Sequence, residues 1–149
     1  MKIIKFYQAD QRIEEFFAML PADWQESIVP DWDLYKKDTS LFIGDENGRI
    51  VAGGLLFTKS APEMESFANT ASELFLHGAV YLGYIWVPET ERGKGLGSAW
   101  LQHVQHIFPQ KTFWLTIEDE SLIAFYERNG YRLIKENRLT GEWLLIHSV

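Results

Sequence analysis

At 149 residues, 46 % hydrophobic and 23 % charged, the chain has the size and balance of one folded domain spanning residues 1–149. A formal net charge of −7 excludes a general affinity for nucleic acid, whose phosphates need a basic face; it suits cationic partners and also serves solubility. The chain has no cysteine, no apolar run near the roughly 20 residues of a membrane span, and a first decapeptide too polar for a signal peptide, so the expected home is the cytoplasm, with no membrane partner.

Residues 3–7 predict a first strand, after which Asp10 is placed to cap a helix reaching about Leu20, with Ile13, Phe16, Phe17 and Leu20 inward and Pro21 as its stop. Residues 22–38 mix Trp24, Ile28, Trp32, Leu34 and Tyr35 with Asp and Pro, which suggests one or two short helices. Residues 41–44 and 50–58 read as a hairpin turned by Asn47-Gly48. Ser60-Ala-Pro-Glu63 has the pattern of a capping box. Met64, Phe67, Ala68, Ala71, Leu74 and Phe75 then recur at helical spacing, which predicts an amphipathic helix between two strands. The remaining order is a strand at 79–87, a helix at 94–108, a strand at 112–117, a helix at 121–129, and strands at 131–137 and 142–148 turned by Thr140-Gly141. This succession predicts an α+β domain around a mixed sheet.

The connection from the 79–87 strand into the next helix is the most informative segment. Gly93, Gly95 and Gly97 alternate there, baring backbone N–H groups at a helix N-terminus beside Arg92 and Lys94. Such a turn can hold a pyrophosphate, or it can be a tight strand-to-helix connection. It is not a Walker A loop, because no Lys-Ser/Thr pair follows the glycines. It departs from the dinucleotide fingerprint, because Ser98 stands where Gly or Ala is required. About 30 residues on, Leu122, Phe125 and Tyr126 share a helical face that ends at Asn129-Gly130 before Tyr131 opens a strand.

Arg92-Gly-Lys-Gly-Leu-Gly97 at a strand–helix junction, followed by Ala124-Phe-Tyr and Gly130-Tyr131, resembles the GNAT superfamily of acyl-CoA-dependent N-acetyltransferases. The resemblance is sharp over residues 80–131 and loose elsewhere. It implies a mixed sheet with helices on both faces and two splayed central parallel strands, here residues 80–87 and 112–117. It further implies acetyl-CoA as co-substrate in the slot between them. Ile85, Trp86 and Val87 would pair with the pantetheine arm, and an N–H near Val87 would face the thioester oxygen. Backbone donors of Arg92, Gly93, Lys94, Gly95, Leu96, Gly97 and Ser98 would hold the pyrophosphate. Tyr126 would be the general acid toward the leaving thiolate, since a phenol of pKa near 10 keeps its proton at neutral pH. Two departures from the family stand out: Asp119 lies where the family often has Asn, and Pro88 directly follows Val87.

The implied acceptor is a primary amine, with a small cationic molecule first. A protein N-terminus or lysine is the alternative substrate, and an acyl-CoA-binding regulator without catalysis the alternative class. Only the unprotonated amine attacks, and freeing a lysine-like amine at pH 7 costs about 4.6 kcal/mol. Glu73, His77, Tyr84, Glu89 and Glu118 are candidate bases, none singled out by spacing. Trp24, Trp32, Tyr35 and Phe67 could line the acceptor pocket or pack the core. His103 and His106 sit one turn apart with no third ligand, so no metal is expected. Trp143-Leu-Leu-Ile on the last strand either pairs between subunits of a homodimer or completes the core.

Overall fold

The computed structural model describes residues 3–148. Seven strands form one sheet: β1 (Ile4–Gln8), β2 (Thr39–Glu46), β3 (Arg49–Phe57), β4 (Val80–Trp86), β5 (Phe113–Ile117), β6 (Arg132–Asn137) and β7 (Glu142–His147). Their spatial order is β1-β2-β3-β4-β5-β7-β6. Only β4 and β5 run parallel, and every other neighbour is antiparallel. Helices α1 (Ile13–Ala18), α2 (Ala22–Ile28), α3 (Trp32–Tyr35), α4 (Ala68–Leu76), α5 (Leu96–Ile107) and α6 (Ile123–Arg128) cover it.

Alternation along β2 and β3 builds two cores. Leu41, Ile43, Leu55 and Phe57 face Phe16, Phe17 and Ile28 of α1 and α2, together with Met64, Phe67 and Ala71. Phe42 and Leu56 face the other way, onto Trp100, Leu101 and Val104 of α5 and Tyr126 of α6. With helices on both faces, β3 is buried almost throughout and reads as a continuous apolar run. Gly53 and Gly54 permit this. A Cβ on Gly53 would stand 2.5 Å from the Phe16 ring, and one on Gly54 would stand 2.6 Å from Trp100. The Trp100 indole N–H is satisfied by the Phe42 carbonyl at 2.9 Å.

The Asn-Gly hairpin forms as the sequence indicates, with φ of 53° at Asn47 and 86° at Gly48. After α6, Gly130 at φ 90° lets the Tyr131 N–H return to the Tyr126 carbonyl at 3.0 Å, a Schellman closure.

Two expectations change, and one open alternative is decided. Asp10 does not cap α1. A 3-10 turn (Asp10–Arg12) precedes that helix, and the Asp10 carboxylate accepts instead from the Leu41 N–H at 2.8 Å and from Gln8 at 2.9 Å. Residues 60–63 form no capping box. Pro62–Phe67 is a 3-10 segment without a side-chain cap, because Glu63 turns inward rather than back to the helix start. β7 lies between β5 and β6, with both edges hydrogen-bonded, so Trp143-Leu-Leu-Ile completes the core and cannot pair between subunits. No helix among the described residues is long and apolar enough to cross a membrane.

Candidate active site

β4 and β5 pair only at Val80↔Phe113 and Tyr81↔Trp114, then diverge. The cause lies on β4's other side. Its register against β3 runs from Leu55↔Gly83 to Gly53↔Trp86, so Tyr84 and Ile85 together oppose one residue. Tyr84 takes φ 55° at this bulge, a left-handed conformation that costs a non-glycine residue on the order of 1–3 kcal/mol. Its surroundings hold it there. The hydroxyl shares a 2.8 Å hydrogen bond with Ser27 Oγ, and the ring meets Trp24 edge-on at 5.9 Å. At the vertex of the split, the Tyr81 hydroxyl lies 2.9 Å from Thr116 Oγ1.

A cavity of about 510 Å³ opens between the diverging strands. Leu82 to Ile85 form one wall and Leu115 to Ile117 the other; Leu122 and Tyr126 close one side, and Trp24, Ser27 and Glu63 the other. Asp23, Glu63, Glu118, Asp119 and Glu142 are its ionisable acids, and no Lys, Arg or His lines it among the described residues. Past Tyr81, the edge of β4 that faces β5 has no strand partner.

Beyond the far end of β4, Gly93 and Gly95 adopt φ of 79° and 75°, and Gly95 caps α5. The Ala99 N–H donates to the Gly95 carbonyl at 3.0 Å, so the N–H groups of Leu96, Gly97 and Ser98 precede the helical ladder and have no partner within it. Arg92 is committed differently. Its backbone N–H donates to Glu89 at 3.3 Å, its Nε donates to the Val87 carbonyl at 3.0 Å, and its guanidinium lies 4.7 Å over the Trp86 ring. Lys94 pairs with Glu91 at 3.0 Å, and Glu91 also accepts from Arg49 at 2.6 Å. These contacts tie the glycine turn to β3 and hold the Glu91 carboxyl down at about 2.

Of the residues singled out from sequence, Ile85 and Tyr126 line the cavity, while Trp86, at the end of β4, and Val87 and residues 92–98, in the connection into α5, are not among its lining residues. Tyr126 is 7 % exposed, and burial pushes its phenol up to about 12, so it stays protonated at neutral pH. Asp119 accepts from the N–H and hydroxyl of Ser121 and thereby caps the turn before α6. Among the candidate bases, Tyr84 and Glu118 reach the cavity, whereas Glu73 and His77 are exposed on and just after α4, and Glu89 is exposed in its turn. Of the four aromatics only Trp24 lines it; Trp32, Tyr35 and Phe67 pack against the core.

Sequence reasoning misses two residues, Glu63 and Tyr81. The Glu63 carboxyl accepts the Tyr81 hydroxyl at 3.1 Å, and its other oxygen, Oε1, is buried without a hydrogen-bond partner. Burial pushes this acid up to about 7; the neighbouring hydroxyls of Tyr81 and Tyr84 oppose the shift, and the charge of Glu142 adds to it. The available signal is an acid set between the core residues Ala61, Met64 and Phe67, which a solvated helix start would not require.

The acetyltransferase (GNAT) family model matches residues 6–131. An acetyltransferase from Thermus thermophilus superposes with a TM-score of 0.70 at 15 % identity, covering 100 % of both chains. A GNAT family acetyltransferase from Elizabethkingia anophelis with acetyl-CoA bound gives 0.61 at 14 % identity, covering 98 % of each. The PaiA N-acetyltransferase of Thermoplasma acidophilum, in complex with coenzyme A, gives 0.64 at 10 % identity over 99 % of each. No curated protein sequence matches the chain. The family match spans most of the chain and the fold agrees with solved members, whose co-substrate is acetyl-CoA: this chain belongs to the GNAT family of acetyltransferases.

Proposed function

We propose that the protein is a cytoplasmic N-acetyltransferase that moves the acetyl group of acetyl-CoA to a primary amine on a small cationic molecule by direct attack. The observation that carries this reading is the cavity at the divergence of β4 and β5, where, among the described residues, the ionisable side chains apart from tyrosines are all acids. A slot with an unpaired strand edge suits the extended pantetheine arm, with Ile85, Trp86 and Val87 as its main-chain partners. The donors from Gly93 to Ser98 suit the pyrophosphate, and the partial positive charge of the 12-residue helix α5 adds to them.

In this reading an N–H near Val87 faces the thioester oxygen, where a fixed donor stabilises developing negative charge. The buried Tyr126 gives its proton to the leaving sulfur. Acids around the acceptor attract an ammonium group and repel a carboxylate, while Trp24 adds an aromatic face. Amines that carry a carboxylate next to the nucleophile are therefore poor acceptors.

Calorimetry with acetyl-CoA, beside an assay of CoA release over a panel of amines, tests the reading. Binding with turnover that is fastest on cationic amines supports it. Binding without turnover on any amine favours a regulator, and the absence of binding at millimolar acetyl-CoA rejects the whole assignment.

A further inference from the structure

Acetyl transfer to an ammonium-bearing acceptor needs somewhere for the first proton to go, and one cavity acid has a buried oxygen without a hydrogen-bond partner. Glu63 is presented by the segment Pro62–Phe67 between β3 and β4. Its Oε2 is committed to the Tyr81 hydroxyl at 3.1 Å, and that hydroxyl lies 2.9 Å from Thr116 Oγ1. Its Oε1 is buried and unpartnered, on a residue that lines the cavity. Gly83 makes room for the carboxyl, since a Cβ there would stand 3.2 Å from Glu63 Oε2 and 3.0 Å from the Phe57 ring. A buried polar atom without a partner is uncommon in folded proteins and calls for a reason.

The other acids of the cavity are differently engaged. Asp119 is bonded to Ser121 and Glu142 to Ser66, while Asp23 and Glu118 are exposed.

We propose that Glu63 is the catalytic residue that accepts the proton of the acceptor ammonium on Oε1, with Tyr81 and Thr116 as its positioning residues. This rests on the acetyltransferase reading above. Thr116 donates to the Tyr81 oxygen and Tyr81 donates to Oε2, which leaves Oε1 as the carboxylate oxygen without a hydrogen-bond partner. The titratable groups that face Glu63 are Tyr81 and Tyr84 from β4, Glu142 from β7 and Tyr35 from α3, and none is a cation. Its proton affinity, raised to about 7, leaves a useful fraction of carboxylate at neutral pH.

The balance is as follows. An ammonium N–H bond breaks, its proton forms an O–H bond at Oε1, and the electron pair stays on nitrogen. That pair forms the bond to the thioester carbonyl carbon. The C–S bond breaks with its electrons on sulfur, which takes the Tyr126 proton. The second nitrogen proton returns to the Tyr126 oxygen through water, and Glu63 releases its proton to solvent. One proton is released for each amide formed.

The test uses the full chain with acetyl-CoA and two acceptors of similar shape, 2-phenylethylamine and 2,2-difluoro-2-phenylethylamine, the second having a much more acidic ammonium. Glu63→Gln should lower kcat on 2-phenylethylamine about 100-fold or more at pH 7 and abolish the acidic limb of its pH profile. The same variant should keep the wild-type KM for acetyl-CoA and most of its activity on the difluoro amine. A loss of equal size on both amines, or no loss on either, overturns the proposal while wild-type turnover keeps the acetyltransferase reading intact. Wild type that binds acetyl-CoA but acetylates no amine overturns both. If the variant does not fold, the wild-type profiles decide. A kcat limb near pH 7 on saturating 2-phenylethylamine supports Glu63, and a kcat on that amine that does not change between about pH 5 and about pH 9 overturns it.

Discussion

The hydroxyl of Tyr81 lies 2.9 Å from Thr116 Oγ1, one hydrogen bond that spans β4 and β5 just past their last backbone pair. The same hydroxyl reaches Glu63 Oε2 at 3.1 Å, so a single buried phenol links the vertex of the split strands to the acid that faces the cavity. Residues at such a junction should differ in cost according to how many partners each leaves behind.

Thr116→Val removes one neutral hydrogen bond and should destabilise the fold by about 1 kcal/mol. Tyr81→Phe strands both Thr116 Oγ1 and Glu63 Oε2, and should cost more, about 1–3 kcal/mol. Urea denaturation of both variants gives the comparison. Because the Tyr81 hydrogen bond favours the ionised Glu63, its loss should also lift that acid further above 7, readable by carbon NMR of the labelled carboxyl. A smaller cost for Tyr81→Phe than for Thr116→Val would contradict the linked arrangement.

Gly48 and Gly95 both hold positive φ, and a Cβ at either would meet nothing within 4 Å. Alanine at each therefore carries only backbone strain, about 1–2 kcal/mol. The two variants should lose similar stability in thermal melts. Only Gly95→Ala, at the start of α5, should weaken acetyl-CoA binding measured by calorimetry. Equal affinity in both would show that the glycine turn does not bind the co-substrate.

Tyr126→Phe deletes the proposed proton donor and keeps the ring that packs against Phe125 and Tyr131. Turnover should fall about 100-fold, with acetyl-CoA affinity and melting temperature nearly unchanged. Undiminished kcat would remove Tyr126 from the chemistry.

Glu91 and Glu63 should give opposite pH dependences of stability. Glu91 is held at about 2 by hydrogen bonds from Arg49 and Lys94, below the unfolded value near 4.3. Its contribution is present above pH 4.3 and is lost as pH falls toward 2. Glu63 is raised by burial to about 7, so the native state holds the extra proton and stability declines as pH rises from 4.3 to 7. Melting temperatures across pH should show Glu91→Gln flattening the acidic slope and Glu63→Gln flattening the neutral one. If neither slope changed, these charge assignments would be wrong.

The order of elements, the Asn47-Gly48 hairpin, the glycine turn and the Gly130 closure are all legible in the sequence, because each depends on local periodicity or on a backbone conformation that few residues adopt. The family resemblance also rests on such short-range signals, around Gly93 to Gly97 and Phe125 to Tyr131. What the sequence could not reveal depends on contacts between distant segments. Asp10 looks like a cap until Leu41, 31 residues away, presents its N–H. Glu63 looks like a helix start until Gly83 leaves space and Tyr81 donates across 18 residues. The last strand could have been an edge until β6 covered it. Local patterns determined which segments are strands, helices and turns; the tertiary structure alone decided which carboxyl is buried, since desolvation and hydrogen-bond partners come from neighbours in space.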